Sequence, residues 1–209
     1  MVHRREIDGQ ELVFGNQGAL YRNAMTLFDH DTGSVWSQPF GEAILGPRRG
    51  QTMELLPSQM TTWGAWRDAH PTTWALDVPG PRSGFDLSDM SVVVQFGDEA
   101  VQYSIEQLRL GLVANDVVQD LEIAVVVDPA DPERWAVFSR RLDDQVVVLR
   151  LDGGLLVDEE TGTTFDPTSG RGIAGALSEQ TLDLLPGFTS FPWEFVQLWP
   201  DGRAWDPSG

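Results

Sequence analysis

The sequence FDHDTGSVW at positions 28–36 decides the fold, because a stretch of the same form, VDEETGTTF, returns at positions 157–165. The separation is 129 residues (157 minus 28), and matches continue at this offset, without a gap, through Phe28–Leu76. Glycine, proline and apolar residues make up most of the matched pairs: Gly41 and Gly170, Ile44 and Ile173, Gly46 and Gly175, Pro57 and Pro186, Pro71 and Pro200. A run of matches at one spacing and at turn or core residue types predicts an internal duplication.

The quoted segment has the chemistry of a hairpin turn. Asp29 can accept hydrogen bonds from the backbone that follows it, Gly33 can adopt the left-handed conformation, and Val35 begins a return strand. The 21 glycines and 13 prolines are spread along the chain, which is typical of many short strands joined by turns. We therefore predict a mainly β fold with short helices, made of two related antiparallel β units packed as one globular body.

Three further segments give clear signals for secondary structure. Residues 61–70 predict one or two helical turns, with Thr62 as the cap and Pro71 as the stop. The segment Ser104–Leu112 predicts a second helix, capped by Ser104. The continuous apolar run Leu121–Val127 predicts a buried central strand.

The two predicted units differ in length. Residues 78–84 are rich in proline and glycine and form the predicted linker, so the units are placed at 1–80 and 81–209. A long segment of strand, helix and strand precedes the core of the second copy, whereas the first copy begins near the N-terminus and is abbreviated. An uncovered sheet edge in the first copy would favour a homo-oligomer.

The charge of the chain limits its partners. The 32 acidic residues outnumber 14 basic ones, the net charge is −18, and every basic residue is arginine. Nucleic acid and anionic membrane surfaces are therefore poor partners, because binding phosphate groups needs a basic surface. A lysine-free acidic surface fits a salt-loving organism, although an ordinary acidic surface explains it equally well.

Other absences in the sequence narrow the chemistry. The chain has no cysteine, which excludes disulfides, thiolate zinc sites and a cysteine nucleophile. No window reaches the roughly 18 apolar residues of a membrane span. The N-terminus has no apolar core of a signal peptide, so we expect a cytoplasmic protein as written, or an extracytoplasmic one if a leader was removed.

Several motifs together resemble the bacterial and archaeal family known as domain of unknown function 3179. These motifs are GALY at 18–21, the turn at 29–36, GEAILGP at 41–47, MELLP at 53–57, TWGAW at 62–66 and HPTT at 70–73. The resemblance is good over residues 3–76 and looser over residues 90–206. That family commonly carries a cysteine-containing C-P-x-C-like segment before the matched part, which is missing here, so no thiol or metal role is carried over. The resemblance implies no known activity.

Five residues of the first copy are candidates for a metal ion, the one cofactor that the sequence suggests: Asp29, His30, Asp31, Glu42 and His70. Alternating carboxylates before a glycine resemble the start of a calcium loop, and two histidines with a glutamate could bind a transition metal or act as an acid–base pair. The calcium loop lacks its final glutamate, since Phe40 stands there. The alternative is a capped hairpin turn, with His70 at a helix end.

Clustered tryptophans give a second candidate site. Trp36, Trp63 and Trp66 would suit stacking against a sugar if they are exposed. They would fill the core if they are buried. The counterparts of Trp36 and Trp66 are Phe165 and Phe195, which favours the core.

No catalytic motif stands out, so the sequence does not decide whether the protein is an enzyme. Ser34 is not in a nucleophile elbow, and there is no glycine-rich phosphate loop. The leading hypothesis is an uncharacterised binding or structural module. The alternatives are a metal-dependent enzyme built around His30, Glu42 and His70, and a carbohydrate-binding module that uses the tryptophans.

Overall fold

A computed structural model describes residues 1–75, 87–129 and 131–208 of the chain. The predicted linker at 78–84 and the unit boundary at 80 lie outside the described residues. The prediction of a mainly β fold with short helices is confirmed, since nearly all elements are short strands in antiparallel sheets.

The N-terminal part of the chain forms six strands and one helix. The first two strands make a small hairpin, and the next four form an antiparallel sheet in the order β3-β4-β5-β6. These elements are β1 (Glu6–Ile7), β2 (Gln10–Glu11), β3 (Phe14–Tyr21), β4 (Ala24–Asp29), β5 (Val35–Ser37), β6 (Glu42–Leu45) and α1 (Trp63–Ala69).

The middle of the chain supplies the most deeply buried strands. These elements are β7 (Ser91–Phe96), β8 (Glu99–Ser104), α2 (Ile105–Leu108), β9 (Val113–Val118), β10 (Leu121–Asp128) and β11 (Asp131–Ser139). Strand β10 lies between β9 and β11, and its residues Ile123–Val127 are almost fully buried. The predicted central strand is therefore confirmed.

The C-terminal part repeats the arrangement of the N-terminal part. A small hairpin precedes a sheet in the order β14-β15-β16-β17, and two later strands join β7 and β8 in the order β18-β7-β8-β19. These elements are β12 (Arg141–Leu142), β13 (Gln145–Val146), β14 (Leu149–Asp152), β15 (Leu155–Asp158), β16 (Thr164–Phe165), β17 (Gly172–Ala174), β18 (Phe188–Ser190), α3 (Pro192–Leu198) and β19 (Arg203–Ala204).

The predicted turn at Asp29 is confirmed, and Asp158 makes the same turn. The Asp29 carboxylate accepts hydrogen bonds from the Thr32 backbone N–H at 2.6 Å and from its hydroxyl at 2.9 Å, and Gly33 has a φ of 69°. Asp158 accepts from the Thr161 backbone N–H at 2.9 Å and from its hydroxyl at 2.7 Å. Both aspartates are buried, so each turn is held from inside the fold.

Hydrogen bonds recur at the 129-residue offset between residues 2–75, which we call the first stretch, and residues 137–204, which we call the second stretch. The recurring bonds, first and second stretch in turn, are Ala43 N–Gln51 O and Gly172 N–Gln180 O (2.9 and 2.9 Å), Met53 N–Gly41 O and Leu182 N–Gly170 O (2.7 and 2.8 Å), and His70 N–Trp66 O and Trp199 N–Phe195 O (2.8 and 2.8 Å). Helix α3 is accordingly the counterpart of α1 at the same offset. Such recurrence is what two copies of one unit would produce.

Upstream of the hairpin the offset becomes 135. The Leu12 N–Arg5 O bond of 2.9 Å has its counterpart in Val147 N–Arg140 O at 2.8 Å (147 minus 12). The two offsets differ because the β3–β4 hairpin is six residues longer than the β14–β15 hairpin (135 minus 129). Its tip reaches α3, where Arg22 donates to the Leu198 carbonyl at 3.2 Å and Asn23 donates to Gln197 at 2.8 Å.

The predicted helices are confirmed, with one of them shorter than expected. Helix α1 begins directly after Thr62 and ends before Pro71. The Ser104 side chain caps α2 by accepting from the Gln107 N–H at 3.3 Å, but the helix ends at Leu108 because Gly111 has a φ of 92°. Among the helices of the described residues, none has the length and apolar composition needed to cross a lipid bilayer.

Candidate functional site

A cleft of about 690 Å³ lies beside helix α1. One wall is formed by α1 and the segment before it, and the other wall by the turn between β16 and β17 in the second stretch. Arg134, at the start of β11, also lines it. Its volume lies within the range of about 300–1,000 Å³ typical of small-molecule sites. The lining is Gln59, Thr61, Trp66, His70, Arg134, Asp166, Thr168, Ser169, Arg171, Gly172 and Ile173.

A smaller recess of about 70 Å³ adjoins the cleft. It shares Gln59, Thr61, Arg134 and Thr168 with the cleft, and most of its other lining residues are apolar. Trp135 forms part of its lining, and the Trp135 indole Nε1 is buried without a hydrogen-bond partner among the described residues. The recess therefore extends the cleft towards the β10–β11 sheet.

Arg134 is held in place by groups of the second wall. Its guanidinium donates to the Asp128 carboxylate at 2.8 Å and to the Thr168 hydroxyl at 2.7 Å. The Arg134 Nε is buried and has no partner in the described part of the chain. The guanidinium is positioned by these contacts, and the exposed part of the Arg134 side chain, about 30%, is what a ligand in the cleft could meet.

Trp66 and His70 give the first wall an aromatic surface. Their ring centroids are 4.0 Å apart, one helical turn along α1, and the Trp66 indole N–H donates to the Thr73 hydroxyl at 3.0 Å. That hydrogen bond fixes the indole, and Trp66 as a residue is 39% exposed. A fixed aromatic ring at the wall of a polar cleft can stack against a flat ligand face.

The counterpart of this cleft is closed by aromatic packing. Helix α3 packs against the corresponding turn of the first stretch, where the Trp199 ring lies 5.3 Å from Phe40 in an edge-on arrangement. Phe188 and Phe195 pack on the same Trp199 ring at 5.8 and 5.5 Å. Phe188, Phe195 and Trp199 are buried, and Phe40 packs against them in one apolar cluster.

The opening beside α1 follows from side-chain differences at corresponding positions. At the 129-residue offset, three of the four aromatic residues of the closed interface correspond to smaller or more polar residues at the open one, and the fourth corresponds to a tryptophan. The pairs are Phe40 and Ser169, Phe188 and Gln59, Phe195 and Trp66, and Trp199 and His70. The backbone hydrogen bonds recur within each stretch, whereas the side chains differ between the two interfaces.

The residues predicted to bind a metal are not brought together. Asp29 is used by Thr32 and by the Trp36 indole N–H, which donates at 2.9 Å, and Asp31 accepts from Gln10 at 2.7 Å. His30 packs its ring on Phe28 at the hairpin, whereas His70 lines the cleft. Within residues 1–75, 87–129 and 131–208, no three His, Asp or Glu side chains form a group that could hold a metal ion.

The three predicted ligand-binding tryptophans have different positions. Trp36 is fully buried, so it cannot contact a ligand, which corrects the prediction for that residue. Trp63 is 43% exposed but does not line the cleft, and Trp66 does. Phe195 is buried as its aromatic character suggested, but its counterpart Trp66 is not.

The second wall was not predicted from the sequence. Arg134, Asp166, Thr168, Ser169 and Arg171 carry no motif of their own. A signal was nevertheless present in the sequence. At the 129-residue offset, Phe40 corresponds to Ser169, and Trp199 corresponds to His70. Exchange of an aromatic pair for a polar pair at one of two corresponding positions indicates a changed interface.

Comparison with known proteins supports the resemblance stated above for the N-terminal part of the chain. Residues 1–86 match the family described as "Protein of unknown function (DUF3179)". The chain therefore resembles that family over a segment that includes the first stretch and helix α1. No curated protein and no solved structure matches the chain.

Proposed function

We propose that the protein is a binding module whose ligand site is the cleft between α1 and the β16–β17 turn. The observation that carries the proposal is the contrast between the open cleft and the packed aromatic interface at the corresponding positions. An opening of this size within a fold that closes the same interface elsewhere favours a binding role.

The lining of the cleft suits a saccharide. Gln59, Thr61 and Thr168 offer uncharged groups that donate and accept hydrogen bonds, as the hydroxyl groups of a sugar require. Trp66 offers an aromatic ring for the flat apolar face of a sugar ring. The combination of fixed aromatic ring and mixed polar groups therefore favours the carbohydrate-binding hypothesis over a purely structural role.

Titration with saccharides tests this function. Tryptophan fluorescence and calorimetry should detect binding of short oligosaccharides to the intact chain. Trp66→Ala should weaken the affinity at least about tenfold, which corresponds to about 1.4 kcal/mol, because the stacking surface is lost.

Trp63→Ala is the matched control, because Trp63 lies on the same helix and has a similar exposure without lining the cleft. This variant should bind like the unmodified protein. Trp66→Phe keeps a flat ring and should retain part of the affinity, which separates loss of stacking from damage to α1. Equal losses in the Trp63 and Trp66 variants would argue against the cleft as the site.

We also propose that the two stretches are copies of one unit, with the second copy completed by β7–β11. The recurring hydrogen bonds support this view.

We also propose that the protein forms a homo-oligomer, as predicted from the sequence, through the exposed sheet edge at β3. This strand has eight residues, it pairs only with β4 within the described sheet, and its Leu20 is exposed. Light scattering at high protein concentration would test it, and a monomer would contradict it.

A further inference from the structure

We propose that the saccharide carries a carboxylate, as uronic acid oligomers do, and that Arg171 selects this charge. The inference rests on the proposed function of the cleft and adds the class of ligand. It is carried by the position and charge of Arg171 in an otherwise acidic molecule.

The charge of the cleft lining differs from that of the whole chain. The lining contains Arg134, Arg171 and Asp166, and Asp128 of the adjoining recess pairs with Arg134, so these four charges sum to zero (two minus two). The whole chain has a net charge of −18. A negative ligand repelled by most of the surface would therefore meet less repulsion in the cleft, next to Arg171.

Of the two arginines in the lining, Arg171 is the one that makes no ion pair with a described residue. Arg134 is paired with Asp128 at 2.8 Å. The Asp166 carboxylate accepts from the Ser169 N–H at 2.7 Å and from the Ser169 hydroxyl at 2.8 Å, so it serves its own turn. Arg171 itself has no ion pair among the described residues, and its side chain is exposed at the cleft.

The corresponding position of the first stretch carries the opposite charge. Glu42 and Arg171 occupy the same place in the backbone, since each makes an isolated antiparallel bridge, to Thr52 and to Thr181. The backbone is therefore the same at the two positions, and the side chain changes from a negative glutamate to a positive arginine. This reversal occurs at the open cleft and is consistent with selection of a negative ligand there.

A carboxylate fits the site better than a phosphate. A guanidinium can bind a carboxylate or a phosphate through two parallel hydrogen bonds, so the neighbouring charges distinguish the two ligands. Asp128 and Asp166 lie in or beside the lining and would repel a doubly charged phosphate more strongly than a singly charged carboxylate.

Calorimetry with three ligands tests the inference: a galacturonic acid trimer, the matching neutral galactose trimer and a sugar phosphate. The unmodified chain should bind the acidic trimer about tenfold more tightly than the neutral one, as a charge-assisted hydrogen bond would give. Arg171→Gln should abolish this preference, so that the acidic and neutral trimers bind with affinities within about twofold of each other. Added salt should weaken the preference.

Arg49→Gln is the matched control, since Arg49 is also exposed, has no ion pair in the described residues and does not line the cleft. It should keep the preference. Equal affinity for both trimers, tighter binding of the sugar phosphate, or a preference that survives Arg171→Gln would overturn this inference alone. Failure of both trimers to bind would overturn the proposed function as well.

Discussion

At the scale of single residues, the turn around Asp29 shows how far sequence reasoning reaches. The spacing of aspartate, threonine and glycine predicted a capped turn, and the hydrogen bonds from Thr32 and the positive φ of Gly33 confirm it. Trp36 was harder to place, because a tryptophan pattern does not distinguish a core residue from a stacking surface. Its indole N–H binds the buried Asp29, which explains why it lies inside.

Asp29→Asn should lower the free energy of unfolding by about 1–3 kcal/mol near neutral pH, because a buried indole N–H loses its charged acceptor. Chemical denaturation measures this change. Asp31→Asn is the control, since Asp31 is exposed and accepts only from Gln10 among the described contacts. Its effect should stay within about 0.5 kcal/mol.

The same residue should contribute to acid unfolding. Burial by itself raises the pKa of Asp29, but the hydrogen bonds from Trp36 and Thr32 outweigh it and hold the pKa below its usual value. A lowered pKa in the folded state stabilises the fold above the unfolded-state pKa of about 3.9, and this stabilisation is lost as pH falls through the folded-state pKa. The difference in stability between the unmodified protein and Asp29→Asn should therefore shrink in acid. A constant difference from neutral pH to about pH 2 would contradict this account.

At the scale of elements, the two helix interfaces define the site. Helix α1 (Trp63–Ala69) was predicted approximately, within residues 61–70, because Thr62 and Pro71 mark its ends in the sequence. The sequence did not show which turn it would face, since that depends on the packing of residues far apart in the chain. The contrast between Phe40 with Trp199 and Ser169 with His70 was visible but had no meaning until both pairs were placed in space.

Phe40→Ala should lower the free energy of unfolding by about 2–3 kcal/mol, because it removes a ring packed on Trp199. Ser169→Ala at the corresponding position should change it by less than about 0.5 kcal/mol, since no packed ring is lost at the open cleft. Urea denaturation of both variants measures the difference. Similar losses in the two variants would show that the interface beside α1 is also packed.

At the scale of the whole molecule, charge is the dominant property that the sequence predicts directly. Thirty-two acidic residues against 14 arginines give self-repulsion that salt screens. The melting temperature should therefore rise as potassium chloride is added up to about 1 M, whereas an uncharged osmolyte matched for osmolarity should not reproduce the full rise at low concentration. A melting temperature that is independent of salt would contradict a role of net charge in stability.

The cleft as a whole could not have been predicted from the sequence. Its two walls come from segments about a hundred residues apart, and Arg134 is contributed by β11. Composition and motifs predicted the strands, the turns and α1. They did not predict that Arg134 and the β16–β17 turn would meet Trp66 and His70. That arrangement depends on how the two stretches pack around β10 and β11.

Chemical-shift mapping by NMR tests the central claim most directly. The indole N–H signals of the tryptophans report on both interfaces, since Trp66 lines the cleft and Trp199 lies in the closed counterpart. Titration with an acidic oligosaccharide should shift the Trp66 indole signal and the backbone signals of Ser169 and Arg171, and leave those of Trp199 and Phe40 in place. Saturable shifts at Trp199 with none at Trp66 would contradict the account.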